Sequence, residues 1–181
     1  MEEKYVCACG LTCCDCMFYK SDIYDTARKL KGLINDSQIN TFFSIMSKPE
    51  VNSSVADHLN EDNEKFKQYF QVFSKMSDFI EVLDGLINIQ CKTTCQESGG
   101  CSMCGTTKEC LTIKCVKEKR LDGCWECNEN ESCSKLTFQR RSYGKTIDEN
   151  FKIINEKGIN EVPSRGDDYY EWQRTIKANR T

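Results

Sequence analysis

One histidine, His58, and two prolines, Pro49 and Pro163, are all that the 181 residues contain of either type. A single imidazole leaves His/Cys nucleophilic catalysis little to work with. His58 lies in a polar stretch, where a solvated surface residue is expected rather than a ligand or a base. No cysteine precedes a proline, so the bacterial ferredoxin run, which closes on Cys-Pro, is missing. No stretch of about 18 consecutive apolar residues occurs, which argues against a transmembrane helix. The first residues, Met1-Glu2-Glu3-Lys4-Tyr5-Val6-Cys7, lack a basic segment followed by an apolar one, so no secretory signal is expected and the expected compartment is the cytoplasm. The net charge is only −3, and the mixed acids and bases give no strong electrostatic reason to seek nucleic acid or anionic membrane. Glycine-rich phosphate loops, GxSxG elbows and HExxH helices are absent too.

Cysteine is what the chain has in abundance: 14 residues in two groups. Cys7, Cys9, Cys13, Cys14 and Cys16 open the sequence. Cys91, Cys95, Cys101, Cys104, Cys110, Cys115, Cys124, Cys127 and Cys133 follow a long cysteine-free interval. In a reducing compartment such cysteines read as metal ligands or redox groups. The plainer alternative is the disulfide scaffold of a secreted protein. The missing signal and the ordinary helical patterning of half the chain weigh against it.

Between the two groups the pattern is helical. Ile23, Ala27, Leu30 and Ile34 recur at helical spacing, as do Ile39, Phe42, Phe43 and Met46 before Pro49 stops that run. Residues 50–60 are polar and predict a loop. Phe66, Tyr69, Phe70, Phe73, Met76, Ile80, Leu83 and Ile87 then form one apolar stripe, predicting a helix of roughly seven turns whose aromatics pack in a core. Further on, a short helix is expected over about Leu111 to Arg120, closed by Gly123. Thr146 and Glu149 predict a capping box for a helix with Ile147, Phe151 and Ile154 on one face and Gly158 as its C-terminal cap. The acidic, aromatic tail Asp167-Asp168-Tyr169-Tyr170-Glu171-Trp172 is expected to pack back on the helices, with an exposed contact as the alternative.

Three pairs have Cys-x-x-Cys spacing: Cys13/Cys16, Cys101/Cys104 and Cys124/Cys127. Two intervening residues let the chain turn so that both sulfurs face one ion. Gly105 and Asn128 follow two of these pairs, where a left-handed residue is favoured. Cys101, Cys104, Cys124 and Cys127 together have the spacing of a four-cysteine zinc site. There is also an echo: Cys101-x2-Cys104-x5-Cys110 repeats as Cys124-x2-Cys127-x5-Cys133. Two sites, each borrowing a fourth ligand from Cys115, Cys91, Cys95 or an N-terminal cysteine, would satisfy it. Cys9, Cys13 and Cys16 make a three-ligand set that needs a partner, which suggests that the two groups meet. Cys14, beside Cys13, is expected to be a spectator. Lys114, Lys117, Lys119, Arg120, Arg140 and Arg141 form a basic run, but acids interrupt it and a solvated face is expected rather than a nucleic-acid contact.

These residues resemble a known family. Cys9-Gly10-Leu11-Thr12-Cys13-x2-Cys16 with Phe18-Tyr19 is similar to the opening Cys-Gly-Leu-x-Cys-x-x-Cys-Pro-Ala-Tyr of a cysteine-rich group of bacterial and archaeal proteins, domain of unknown function 3795. Its second motif resembles Cys110-Leu111-Thr112-Ile113-Lys114-Cys115-Val116-Lys117-Glu118-Lys119 followed by Cys124-x2-Cys127-x5-Cys133-Ser134-Lys135-Leu136. The resemblance runs through both groups to about residue 136. Met17 stands where the family usually has proline, and Leu121 stands near its usual glycine. Cys7, Cys14, Cys91 and Cys95 lie outside the pattern. The resemblance implies a metal-binding domain common in anaerobes, and no activity.

The expected fold is mainly α. A helical bundle over residues 21–90 would pack with the helix at 147–157, and a loop-rich, metal-stabilised segment at 91–136 would sit at one end beside the cysteine motif of residues 1–20; residues 137–181 supply the last helix and the tail. The expected ligands are Cys9, Cys13, Cys16, Cys101, Cys104, Cys110, Cys115, Cys124, Cys127 and Cys133. Zinc in a structural or adaptor protein with a protein partner is the favoured reading, and no catalytic reaction is expected. An iron–sulfur protein in electron transfer or accessory service is the alternative, with a thiol redox or metal-storage protein third.

Overall fold

The computed structural model describes residues 1–180 and is mainly helical, with no β-strand among them. The chain forms two compact units. One is the continuous segment Ser21–Asn88. The other joins Met1–Lys20 to the residues from Ile89 onward, so the first unit is an insertion in the second.

The inserted unit holds α1 (Asp22–Ser37), α2 (Ile39–Met46), α3 (Pro49–His58), α4 (Asn63–Gln71) and α5 (Met76–Asn88). Ala27 and Ile34 of α1 meet Leu83 of α5 in a small core, with Ile80, Leu86 and Ile87 at its margin. Left-handed Gln38 (φ +53°) turns the chain between α1 and α2. The loop predicted over residues 50–60 is instead α3. Pro49 occupies its first turn, where a missing N–H costs nothing, so this proline ends one run and begins the next. His58 is the last residue of that helix. The single long helix predicted from Phe66 to Ile87 is divided: α4 passes through a 3-10 turn at Val72–Lys75 before α5 begins. Phe73 in that turn stacks on Phe43 at 3.7 Å and 5°, and Phe66 and Phe70 adjoin at 4.9 Å. The expected aromatic packing is therefore present: of the stripe only Tyr69 is exposed and Leu83 is buried, while Ile23, Leu30, Leu33, Phe42, Phe79 and Val82, outside the stripe, are open to solvent.

The cysteine-bearing unit adds α6 (Cys95–Ser98), α7 (Leu111–Lys119), α8 (Thr137–Tyr143), α9 (Thr146–Lys157) and α10 (Glu171–Ala178), linked by short 3-10 turns. Its core joins Val6 and Leu11 to Ile113, Val116, Trp125, Leu136, Ile147, Phe151, Ile154, Val162, Tyr169 and Tyr170. The helix at 147–157 thus buries its apolar face, Ile147, Phe151 and Ile154, among the cysteine segments. Its predicted capping box does not form. Lys145 is the N-cap without a side-chain bond, Thr146 donates its hydroxyl to the Tyr169 carbonyl at 3.1 Å, and Glu149 pairs with Arg165 at 2.6 Å. Gly158 does end α9, at φ +100°. The stop of α7 comes at Arg120, left-handed at φ +57°, three residues before the glycine expected to supply it.

Candidate metal centre

Residues 6–13 make a tight loop that presents thiols from a fixed backbone. Val6 bridges Thr12, the Cys7 N–H donates to the Leu11 carbonyl and the Gly10 N–H to the Cys7 carbonyl, each at 2.7 Å. Gly10 is left-handed at φ +77°, and a Cβ there would lie 2.6 Å from the Phe151 ring. Glycine is therefore required twice over at this turn. Side chains far along the sequence hold the loop from outside. Gln96 Nε2 donates to the Val6 carbonyl at 3.0 Å and Asn150 Nδ2 to the Gly10 carbonyl at 2.8 Å. The Cys124 N–H donates to the Ala8 carbonyl at 2.8 Å. The buried Tyr169 hydroxyl donates to the Thr12 carbonyl at 2.8 Å and accepts from the Thr12 N–H at 3.0 Å.

Asp15, almost fully buried, locks the next turn. It accepts from the Thr12 hydroxyl, the Ser164 hydroxyl and the N–H groups of Arg165 and Gly166 at 2.5–3.1 Å. Burial disfavours its charge, but these donors together hold its carboxyl below the ordinary value. The predicted packing of the aromatic tail is real, and its target is this cysteine segment: Tyr170 donates to Cys16 Sγ at 3.5 Å and accepts from the Met17 N–H at 2.9 Å.

The loop brings its thiols to the second cysteine group, as the incomplete N-terminal ligand set suggested. Cys7, Cys13 and Cys95 hold their sulfurs within 4.8 Å of one another, with Cys7 and Cys13 at 3.5 Å. The Cys95 N–H donates to Cys13 Sγ at 3.3 Å. Cys95 opens α6, where Thr94 and Glu97 form a complete capping box. Cys91 and Cys101 lie 3.9 Å apart, and the Cys91 N–H donates to the Phe18 carbonyl at 2.7 Å. Eight thiols in all, those of Cys7, Cys9, Cys13, Cys16, Cys91, Cys95, Cys101 and Cys110, line one cavity of about 190 Å³.

These thiols share protons. Hydrogen bonds from Cys7 and then Cys95 hold the Cys13 thiol down at about 4. The hydrogen bond with Cys95 is the chief reason Cys101 falls to about 6. The donors move the other way: Cys7 is raised chiefly by its bond to Cys13, and Cys95 chiefly by its bond to Cys101. Burial pushes Cys91 up to about 11. Partly deprotonated thiols with proton-bearing neighbours are the state that a cation displaces when thiolates bind metal and release their protons. Cys7, Cys13 and Cys95 can hold a metal ion on this geometry.

A second, smaller cavity of about 50 Å³ is lined by Cys115, Cys124, Cys127 and Cys133 together with Lys119 and Glu129. Burial pushes the Cys124 thiol up to about 12, and the nearby Cys9, Cys133, Cys115 and Cys127 add to this. The four-cysteine zinc pattern read from Cys101, Cys104, Cys124 and Cys127 is therefore split. Cys101 faces the first cavity, while Cys124 and Cys127 face the second. Cys104 is exposed and left-handed at φ +58°, and it lines neither. Gly105 has the left-handed conformation expected of it. Asn128 does not, because among the described residues the left-handed non-glycine positions are Gln38, Asn60, Cys104 and Arg120. Cys14 turns its sulfur to Met1 Sδ at 3.5 Å, in keeping with a spectator.

The expected ligand set left out Cys7, and Cys95 entered only as one candidate for a borrowed fourth ligand, yet these two complete the tightest thiol group. The Thr94-x-x-Glu97 signature was a local clue to Cys95, because it fixes a helix start beside a cysteine. Nothing comparable marked Asp15, Asn150, Tyr169 or Tyr170, whose roles depend on contacts across more than a hundred residues. The basic run is laced with ion pairs: Lys117 with Glu109 and Lys119 with Glu129, both at 2.6 Å, and Arg140 with Asp148 at 2.8 Å. No helix among the described residues is long and apolar enough to cross a membrane.

No curated protein and no solved structure matches the chain. A family model described as a protein of unknown function (DUF3795) matches residues 5–138, which takes in both cysteine groups and the inserted helices. The chain, with its thiol-lined cavities and the loop that feeds them, belongs to that family.

Proposed function

We propose that the protein is a zinc-stabilised structural or adaptor protein whose first centre binds one ion through Cys7, Cys13, Cys95 and Cys101. The observation that carries this reading is the closeness of the sulfurs. A zinc–sulfur bond of about 2.3 Å places tetrahedral ligands about 3.8 Å apart. Cys7 and Cys13 are 3.5 Å apart, and all three of Cys7, Cys13 and Cys95 lie within 4.8 Å. Cys101, which lines the same cavity, is the fourth donor we propose; its sulfur lies outside the group already within 4.8 Å and draws in as the ion binds. An ion held there would fasten residues 7–13 to residues 95–101, closing the chain on both sides of the inserted helical unit. Zinc supplies no redox step, only charge and a fixed tetrahedral geometry. The partner is expected to be a protein. Tyr169 and Tyr170 of the aromatic tail are occupied by the cysteine segment, so the inserted unit, with exposed Leu30 and Leu33 on α1, Phe42 on α2 and Val82 on α5, is the more available contact.

A second reading, an iron–sulfur protein, has its own supporting observation. Eight thiols around about 190 Å³ are more donors and more room than one ion uses. Against it, a four-iron cluster spreads its cysteine sulfurs over separate corners, whereas here three converge on one point. Cobalt reconstitution of the full chain separates the readings. The zinc reading predicts the intense visible bands of tetrahedral thiolate cobalt, reduced by one equivalent in Cys95→Ser. A brown chain carrying iron and acid-labile sulfide as isolated would establish the cluster reading instead.

A further inference from the structure

We infer that Cys115, Cys124, Cys127 and Cys133 form a second metal centre, separate from the first, whose four thiols line one cavity and close around one zinc ion as it binds. All four thiols line a cavity of about 50 Å³. The four sulfurs face this one small space, so an ion drawn into it meets all four donors.

The backbone around the cavity is built to deliver these sulfurs. Cys115 projects from α7, which ends when left-handed Arg120 reverses the chain. Cys124 begins a 3-10 turn, and the Cys127 N–H closes it on the Cys124 carbonyl at 3.2 Å. Gly123, just before the turn, sits against the Trp125 ring so closely that a Cβ would collide with it. Trp125 in turn packs edge-on against Phe151 at 6.5 Å, which ties the turn to α9. Cys133 returns through its N–H to the Asn130 carbonyl at 3.3 Å.

Two further observations favour a charged occupant. The Lys119 ammonium lies 3.4 Å from Cys127 Sγ while also pairing with Glu129 at 2.6 Å. It offsets part of the negative charge that four thiolates leave on a divalent ion. The segment from 120 to 136 also buries few apolar side chains, chiefly Trp125 and Leu136. A segment this poor in hydrocarbon needs cross-links for its order, and all fourteen cysteines are free thiols, so the cross-link available is a metal.

The test counts ions on the reduced full chain by native mass spectrometry after loading with zinc, beside Cys133→Ser and Cys13→Ser. The wild type should carry one more ion than Cys133→Ser, and Cys13→Ser should keep the ion that Cys133→Ser loses. Retention of every ion by Cys133→Ser overturns the second centre and leaves the first standing. Loss of all ions in Cys133→Ser with none lost in Cys13→Ser would leave the second centre standing and remove the first. Since either variant could fail to fold, wild-type chain loaded with cadmium-113 provides a check without substitution. Two separate tetrathiolate resonances support two centres, and a single resonance overturns the claim of a second centre separate from the first.

Discussion

The two units hold themselves together by different means. In the inserted unit order is local: helices of ordinary pattern, short turns, and a core that reduces to Ala27, Ile34 and Leu83 with its neighbours. In the cysteine-bearing unit order is distant. The loop at residues 6–13 is tied by Gln96, Asn150, Cys124 and Tyr169. Asp15 draws in three groups from the segment 164–166. A helix can be specified by its own residues, whereas a cavity ringed by thiols must be assembled from segments that meet late. Loop closure across the 68-residue insertion Ser21–Asn88 costs entropy, and a metal bond is one way to offset it.

Metal removal should break this contrast most sharply. Chelation under reducing conditions is expected to abolish the thermal transition of the cysteine-bearing unit while leaving helical circular dichroism from the inserted unit. Next in size is Gly10→Ala, which combines a left-handed backbone with a collision against Phe151. It should cost about 2–4 kcal/mol, read as a lowered midpoint in urea. Leu83→Ala should lower only the transition of the inserted unit, by about 2–3 kcal/mol, and leave zinc content unchanged. Tyr169→Phe strips the Thr12 N–H and carbonyl of their shared partner, at about 1–3 kcal/mol, and should speed zinc loss to a chelator. His58→Ala, at the end of α3, should change neither metal content nor the first unit's stability, and a lost ion would reinstate it as a ligand.

The pattern of apolar residues made the helices legible, because helical spacing is a local property. It failed where two signals competed. Pro49 reads as a stop, yet it also starts α3, and the polar face of that helix resembles a loop. The stripe from Phe66 to Ile87 carried no sign of the 3-10 turn around Phe73. Cysteine spacing correctly indicated that the two groups would meet, because a three-ligand set needs a partner. It did not indicate which thiols would share a cavity. Spacing limits what neighbouring cysteines can reach, but Cys13 and Cys95 are neighbours only in the folded chain. The paired motifs at Cys101 and Cys124 looked like one zinc site, and tertiary structure separates them. The aromatic tail was legible as a packing segment, but nothing in it pointed to Thr12, Cys16 and Met17 as its targets.

The most direct test is the metal content and visible spectrum of the full chain purified without oxygen. The account predicts a colourless protein carrying two zinc ions per chain. A metal-free protein whose fourteen thiols all react at once with an alkylating reagent would contradict it, and a brown protein with iron and labile sulfide would contradict the zinc assignment.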